Sequence, residues 1–444
     1  MSDSYFPSWR LKTHGVVAPD ERLPAAQTLA MGLQHVVAMF GSTVFAPLLM
    51  GFSPNIAILM SGVGTLIFFL VVGGRVPSYL GSSFSFIGVV IAATAYGGSG
   101  PNAHIGVALG GIVACGVVYA AIGLVVMRVG VEWIERLMPP VVTGSVVAVI
   151  GLNLAPIAIR NSSGATFDDW MAVVTFLSVG LVAVYTRGMV QRLLILVGLI
   201  VASVVYAVLA NGLGLGKPID VSALAAASWF GLPAFSAPVF DAHAMALIVP
   251  VVVILVAENL GHIKAVTAMT GRNLDRYMGR AFLGDGLATI VSGSAGGTGV
   301  TTYAENIGVM AATRIYSTLI FATAAVVAIV LGFSPKFGAL IHLIPPAVLR
   351  GVAIVIFGLI AVSGARIWVD NKVDFSDSRN LIIVAVTLML GTADFTLKLG
   401  GFALGGIGTA TFGAIGLYAL LGRRGGAAQA KGAVEAADEE PLTS

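Results

Sequence analysis

Long apolar runs dominate this sequence and limit it to a membrane fold. A helix that crosses a bilayer needs about 20 consecutive apolar residues. Runs near that length lie at 26–50, 54–73, 105–127, 141–159, 169–186, 193–211, 243–263, 315–333, 347–365 and 402–421. Only 10% of the 444 residues are charged, against about 25% in soluble domains. We therefore predict an all-α integral membrane protein.

Three further apolar stretches are short or broken, at 80–97, 281–313 and 380–399. The middle stretch contains the glycine-rich run 292–299, which leaves about eleven helical residues before it and about ten after it, each piece roughly 16 Å long. Broken membrane helices occur where unwound backbone lines a cavity, and they point to the binding site of a transporter. We predict about fourteen transmembrane segments, with broken helices at segments 3 and 10 and short strands at the breaks.

The distribution of basic residues supports this count. Lys and Arg in short loops favour the cytoplasmic side of a membrane. With fourteen segments, most of the 24 Lys and Arg fall on the side that holds both termini. The other side receives Arg160, Lys217, Lys336 and Lys398, and Arg350 lies near the start of a segment. We therefore expect both termini in the cytoplasm. Residues 1–24 lack the apolar core of a cleavable signal, so the first segment is expected to direct membrane insertion.

The two halves of the chain resemble each other. The stretch 137–144, with Pro139-Pro140, is echoed by 343–351, with Pro345-Pro346. The broken stretch that begins at Tyr79 likewise has a counterpart around residue 303. Seven segments per half is an odd number, which gives the halves opposite orientations. The pattern predicts two inverted seven-segment repeats, a plan common in secondary transporters.

Glu305 is a carboxylate in the second half of the broken stretch, where a charge costs about 2.5–3.5 kcal/mol. It is therefore a functional-site candidate, and it is also placed to cap a helix N-terminus. Glu258 and His262 lie four residues apart, so a helix puts them on one face. We expect this pair to handle a proton; a pair that only faces the following loop is the alternative.

Other polar and aromatic groups are candidates for the same site. Ser83 and Phe84 begin the first half-helix, where free backbone N–H groups can bind a carbonyl oxygen, and Phe84 or Tyr303 can stack on a flat ring. Gln34 and His35 either join helices or line the cavity, and the joining role is favoured.

Two acids have more than one possible role. Asp285 is either a second proton site or the partner of an Arg, and Asp394 is equally open.

The sequence argues against several classes of function. Cys115 is the single cysteine, so no disulfide or thiolate metal site forms within one chain. No basic cluster is interleaved with aromatics, so no nucleic-acid partner is expected. We find no H-E-x-x-H or G-x-S-x-G pattern, which argues against an enzyme.

These motifs together resemble one family. Residues 305–314, with Asn306, Gly308, Thr313 and Arg314, resemble the signature of the nucleobase–ascorbate transporters, also called nucleobase–cation symporter 2. Gln34-His35 resembles a second hallmark of that family. The stretches 79–84 and 257–262 resemble its bacterial uracil-permease branch, in particular permeases of pyrimidine utilisation. The resemblance covers about 25–421.

The resemblance implies a division into two domains. The core domain comprises 25–127 (segments 1–4) and 242–334 (segments 8–11), and the gate domain comprises 128–241 (segments 5–7) and 335–422 (segments 12–14). Residues 1–24 form a cytoplasmic tail. The composition of 423–444 predicts a second, disordered cytoplasmic tail.

It also implies a proton-coupled symporter that imports a pyrimidine nucleobase, above all uracil, across the bacterial cytoplasmic (inner) membrane by alternating access. No cofactor is expected besides the coupling proton; the expected partners are the nucleobase, the lipid bilayer and a second copy in a homodimer. Residue by residue, the resemblance assigns substrate binding to Glu258, Glu305, the amides of Phe84 and Ala304, Tyr303, Ser83 and Ser42, proton coupling to His262 and Glu258, and accessory roles to Asn306, Gln34, His35 and Asp285.

Three positions depart from the uracil-permease pattern: Ala304 usually is Gly, Ser42 often is Ala, and Arg350 usually is small or apolar. A purine, xanthine or urate symporter of the same family is the main alternative, although purine carriers tend to have Gln in place of Glu305. A sulfate or bicarbonate transporter of related fold is a further alternative, disfavoured because two acids repel an anion.

Overall fold

The computed structural model describes residues 4–98, 100–160, 166–399 and 402–438. The helices of its first half are α1 (Ala25–Met50), α2 (Pro54–Val71), α3 (Phe86–Thr94), α4 (Ile105–Val129), α5 (Glu132–Leu137), α6 (Pro140–Arg160), α7 (Thr166–Tyr185), α8 (Met189–Arg192), α9 (Leu194–Ala207) and α10 (Ser222–Ala226). A π-helical turn, Val208–Gly212, extends α9.

The helices of the second half are α11 (Ala242–Ile248), α12 (Val251–Thr270), α13 (Met278–Ser294), α14 (Ala304–Thr313), α15 (Thr318–Gly332), α16 (Pro335–His342), α17 (Pro346–Asp370), α18 (Ser378–Thr392) and α19 (Gly406–Asp438). A 3₁₀ turn, Asp275–Tyr277, precedes α13. The short strands are β1 (Arg10–Leu11), β2 (Glu21–Arg22), β3 (Leu80–Ser82), β4 (Val300–Thr302), β5 (Leu397–Leu399) and β6 (Phe402–Leu404).

The helices account for each predicted membrane segment. Within the described residues, eight helical spans are long and apolar enough to cross a membrane, or nine if α15 and α16, which meet at 82°, are counted together. The other predicted segments are shorter: the strand–helix units β3–α3 and β4–α14, the helices α13 and α18, and the apolar part of α19, Gly406–Gly422. One length differs from the prediction, because α13 has 17 residues where about eleven were expected. It begins before the predicted boundary, at Met278.

The two broken segments cross at a pair of antiparallel strands. Leu80 pairs with Thr302, and Ser82 pairs with Val300. Two more backbone bonds extend the ladder: the Ser83 N–H donates to the Gly299 carbonyl at 2.9 Å, and the Tyr303 N–H donates to the Tyr79 carbonyl at 3.0 Å. A bilayer offers no water to unwound backbone, so each break satisfies the other.

A threonine on a neighbouring helix supports each strand. The Leu80 N–H donates to Thr65 Oγ1 of α2 at 2.9 Å, and that hydroxyl lies 3.4 Å from the Leu80 carbonyl. In the other half, the Val300 N–H donates to Thr289 Oγ1 of α13 at 3.3 Å, and this hydroxyl donates to the Val300 carbonyl at 3.2 Å. The same device therefore occurs in both repeats.

Helix packing follows the predicted inverted repeat. When each segment is exchanged for the one seven segments away, the contact of α4 with α13 becomes that of α15 with α2, and the contact of α7 with α17 becomes that of α18 with α6. The helices α6 and α17 begin at the second proline of the repeated motif and pack against each other. The two-repeat plan is confirmed.

The N-terminal segment lies on the ends of several helices. Val17 donates its N–H to the Arg314 carbonyl at 3.1 Å and accepts from the Tyr316 N–H at 2.8 Å, directly after α14. The Trp9 indole donates to Thr318 Oγ1 at 2.9 Å at the start of α15. These contacts fix the end of the half-helix that carries Glu305.

The C-terminal helix α19 ends at Asp438. The disordered cytoplasmic tail over 423–444 stays a prediction, and 439–444 lie outside the described residues.

Gly81 in β3 provides a test of this packing. A Cβ at Gly81 would lie 2.5 Å from ring carbons of Tyr303 and 2.7 Å from Thr43 Oγ1. We expect Gly81→Ala to lower the free energy of unfolding by about 1–3 kcal/mol through overpacking, measured as a lower thermal unfolding midpoint in detergent. Gly261→Ala on α12 is the matched control, because a Cβ there meets nothing within 4 Å. Equal midpoints for the two variants would contradict the described packing.

Candidate functional site

Two half-helices direct their N-terminal ends toward one place. β3 leads toward α3 and β4 leads into α14, and the two strands are antiparallel. Each helix start therefore lies at the strand crossing. Among the described residues, neither the Phe84 N–H nor the Ala304 N–H has a hydrogen-bond acceptor. A helix N-terminus carries about half a positive charge, so this place offers two free donors in a positive field.

Two carboxylates face the same place. Glu305 lies in the first turn of α14 and accepts a short hydrogen bond from Ser42 Oγ of α1. Glu258 of α12 lies beside the hydroxyls of Ser83 and Ser85 and close enough to Glu305 to interact electrostatically. Within the part of the chain that the structure describes, Glu258 Oε2 and Ser85 Oγ are buried without hydrogen-bond partners. The site thus holds unused acceptor and donor groups.

Tyr303 supports the site instead of facing it openly. Its hydroxyl donates to the Ser82 carbonyl at 2.8 Å and accepts from Thr43 Oγ1 at 3.2 Å. The side chain is buried. Phe84 is only half-buried, with its ring 6.5 Å from that of Phe45. Of the two predicted stacking residues, Phe84 is the more accessible.

His262 has a different partner from the one predicted. Its Nδ1 lies 2.8 Å from Thr302 Oγ1 in β4, and no hydrogen bond joins it to Glu258 among the described residues. The four-residue spacing on α12 therefore does not form a direct acid–imidazole pair. Instead, His262 ties α12 to the strand crossing.

His35 and Asn306 join α1 to α14. Asn306 Nδ2 donates to His35 Nδ1 at 3.0 Å and to the His35 carbonyl at 3.1 Å. The His35 ring also lies 4.6 Å from that of Phe321. This is the helix-joining role that the sequence favoured. Gln34 is half-buried and makes no hydrogen bond to another described residue.

Asp285 belongs to a buried network that the sequence analysis did not identify. Its Oδ2 accepts from Asn259 Nδ2 at 2.7 Å and lies 3.5 Å from the Tyr119 hydroxyl. Asn259 also donates to Tyr119 at 3.0 Å. The three residues come from α12, α13 and α4, so only the tertiary packing brings them together. The signal available in the sequence was their polarity within apolar runs.

The two remaining unexplained charges have structural roles. Arg350 on α17 is buried and forms an ion pair with Asp169 on α7 at 2.7 Å. Asp394 Oδ1 accepts from the Gly406 N–H at 3.0 Å, at the start of α19, and lies 3.4 Å from Asn153 Nδ2. Neither group belongs to the site around Glu305.

The site is suited to a polar molecule that carries both hydrogen-bond donors and acceptors. Its carboxylates accept hydrogen bonds, and its free backbone N–H groups donate them. Among the described residues, no group of three or more His, Cys, Asp or Glu side chains could hold a metal ion.

Related sequences are numerous and cover nearly the whole chain. The chain is 69% identical over 423 residues to the RutG pyrimidine permease of Escherichia coli (strain K12), covering 94% of this chain and 96% of that protein. It is 41% identical over 393 residues to the uracil permease of Bacillus caldolyticus, covering 85% and 88%. It is 36% identical over 419 residues to the uracil permease of Escherichia coli (strain K12), covering 92% and 94%.

Solved structures with the same fold come from more distant proteins. The transmembrane domain of the cyanobacterial bicarbonate transporter BicA matches with a TM-score of 0.60 at 16% identity, covering 82% of this chain and 96% of that chain. SLC26A9 matches with a TM-score of 0.62 at 12% identity, covering 89% and 64%. At these identities the likeness concerns the fold alone.

A family model settles the relationship that the sequence motifs indicated. The model Xan_ur_permease, described as a permease family, matches residues 26–400. Together with the relatives above, this match shows that the chain belongs to the xanthine and uracil permease family.

Proposed function

We propose that this protein is a proton-coupled symporter that imports a pyrimidine nucleobase, uracil above all, across the bacterial cytoplasmic membrane. One observation carries the proposal: the acids Glu258 and Glu305 lie at the same place as the free backbone N–H groups of Phe84 and Ala304. The relatives named for uracil and pyrimidine transport support the choice of substrate.

Uracil matches this set of groups. Its ring has two N–H donors and two carbonyl acceptors in one plane. Carboxyl oxygens of Glu258 and Glu305 accept from the N–H groups, and the amides of Phe84 and Ala304 donate to the carbonyls. A buried site built for these bonds rejects rings that lack the groups, because the site's own polar atoms would be left unpaired.

Proton coupling is assigned to Glu258, with His262 as its helper. The unpartnered Oε2 of Glu258 is buried, and a buried charge without a partner is costly. A proton on this carboxyl removes that cost while the site is loaded. His262 acts through the strand crossing, because its partner is Thr302 and not Glu258. Loss of the proton to the cytoplasm then weakens binding and releases the base.

The packing of the helices supports transport by alternating access. The helices α1–α4 and α11–α15 pack mainly with one another, as do α6, α7, α9 and α17–α19. These groups correspond to the proposed core domain, 25–127 and 242–334, and the proposed gate domain, 128–241 and 335–422.

Exposed small residues continue from the acids along α12 and α14: Gly261, Ala265, Ala304 and Gly308. They support a cleft that leads to the end of these helices, which the positive-inside rule places in the cytoplasm together with both termini. We also propose a homodimer, on the family resemblance alone.

The two acids provide a direct test of the proposed site. Glu305→Ala removes a charge-assisted hydrogen bond to the base, which contributes about 1.5–3 kcal/mol, and Glu258→Gln removes the proposed proton site. We expect uptake of labelled uracil into liposomes to fall at least about tenfold in each variant. Asp370→Asn is the control, because Asp370 is exposed and pairs with Arg366 on the helix surface. Wild-type uptake by both acid variants would refute the assignment.

A competition panel tests the substrate. Unlabelled uracil and thymine are expected to inhibit uptake of labelled uracil more strongly than xanthine or uric acid. This inhibition is expected to be stronger when the solution outside the liposomes is acidic. Sulfate and bicarbonate are expected not to compete, because the two acids repel anions. Stronger inhibition by xanthine would instead assign the protein to purine transport, and flux of an anion would assign it to the function of its fold relatives.

Neighbouring threonines in β4 test the role of His262. Thr302→Val leaves the His262 ring nitrogen unpaired, at a cost of about 1–3 kcal/mol, so we expect roughly a tenfold loss of uracil uptake and an altered pH profile. Thr301→Val is the matched control, because the Thr301 hydroxyl is buried and has no partner among the described residues. If both variants kept the wild-type pH profile, His262 would have no part in coupling.

A further inference from the structure

An apolar groove lies between the two groups of helices, away from the acids. Its volume is about 520 Å³. Its walls include Val36 and Phe40 of α1, Leu199 and Val204 of α9, and Leu340 of α16. Glu258, Glu305 and the half-helix starts do not line it. Because these walls belong to helices of the membrane-spanning region, lipid tails are the apolar molecules that surround the groove.

A second cavity of about 470 Å³ continues the groove. The two share Leu331, Phe337 and Leu340, and the second adds Trp229 and Lys336. The helix α16 turns by 82° from α15, so it does not continue along the span of that helix. This orientation is typical of a helix at the surface of the membrane, and it places Lys336 at the mouth of the groove.

The mouth has the charge and the aromatic residues of a membrane interface. The Lys336 ammonium lies 4.8 Å from the centre of the Trp229 ring. Among the described residues, Lys336 has no carboxylate within ion-pair distance. Trp229 and Phe230 are 74% and 72% exposed, and aromatic residues of this kind gather at the level of lipid headgroups. An unneutralised cation at that level attracts anionic phospholipids.

We propose that this groove binds one anionic phospholipid of the surrounding bilayer, with an acyl chain between α1 and α9 and the phosphate at Lys336. The apolar walls match the chain, and the cation matches the headgroup. A lipid is favoured over a soluble apolar ligand because the groove opens where lipid is the solvent. Since α1 and α9 lie in different helix groups, any motion between those groups changes the shape of the groove, so the bound lipid senses the conformation of the carrier.

The test measures lipid retention by the full chain. Wild-type protein and variants are reconstituted in phosphatidylcholine vesicles that contain phosphatidylglycerol, extracted in mild detergent, and analysed by mass spectrometry for phosphatidylglycerol per protein. We expect Lys336→Gln to reduce retention about fivefold. Lys398→Gln is the matched control, a lysine that lies outside both cavities. Ala207→Trp fills the groove, which Ala207 lines, and is expected to reduce retention as well.

Three outcomes would overturn the proposal. If Lys336→Gln retained as much lipid as the wild type, Lys336 would not bind the headgroup. An equal loss in Lys398→Gln would show general surface attraction. If Ala207→Trp retained as much lipid as the wild type, the acyl chain would not lie in the groove. Wild-type thermal unfolding midpoints for the three variants establish that any loss arises in a folded protein.

Discussion

The structure depends on how two unwound segments of a membrane protein satisfy their backbone. Inside a bilayer each unpaired N–H or carbonyl costs several kcal/mol. The strands β3 and β4 solve this problem by pairing with each other, and Thr65 and Thr289 supply one further contact on each side. The pairing also brings the N-terminal ends of α3 and α14 to the same point. The proposed binding site therefore follows from the way the backbone is satisfied: the amides that the strand pair leaves free are those proposed to bind the ligand.

The same arrangement explains why acids are tolerated there. Two helix N-termini give this place a positive field, which stabilises nearby carboxylates. Ser42 holds Glu305 in that field, while Glu258 keeps one oxygen unpartnered. The bicarbonate transporter BicA has the same fold. In the proposed site, two carboxylates disfavour an anion through charge repulsion and can accept hydrogen bonds from a neutral molecule.

The sequence predicted the architecture well because its signals are local. Apolar run lengths located the segments, and Pro140 and Pro346, which begin α6 and α17, marked the repeat. The energetic cost of a buried charge identified Glu305. Such local signals do not predict contacts between helices. Helix spacing paired His262 with Glu258, whereas its hydrogen-bond partner is Thr302 from another segment. The network of Asp285 likewise depends on the packing of α4, α12 and α13.

The placement of carboxylates beside the helix N-termini determines how much charge the proposed transport moves across the membrane. A neutral base adds no charge to this site, so under the proposed coupling the proton is the only net charge that moves with it. Each elementary charge that crosses a membrane potential of 100 mV contributes about 2.3 kcal/mol. That energy corresponds to roughly a 40-fold accumulation of the base for each proton. The voltage of an energised cell can therefore drive import even without a difference in pH.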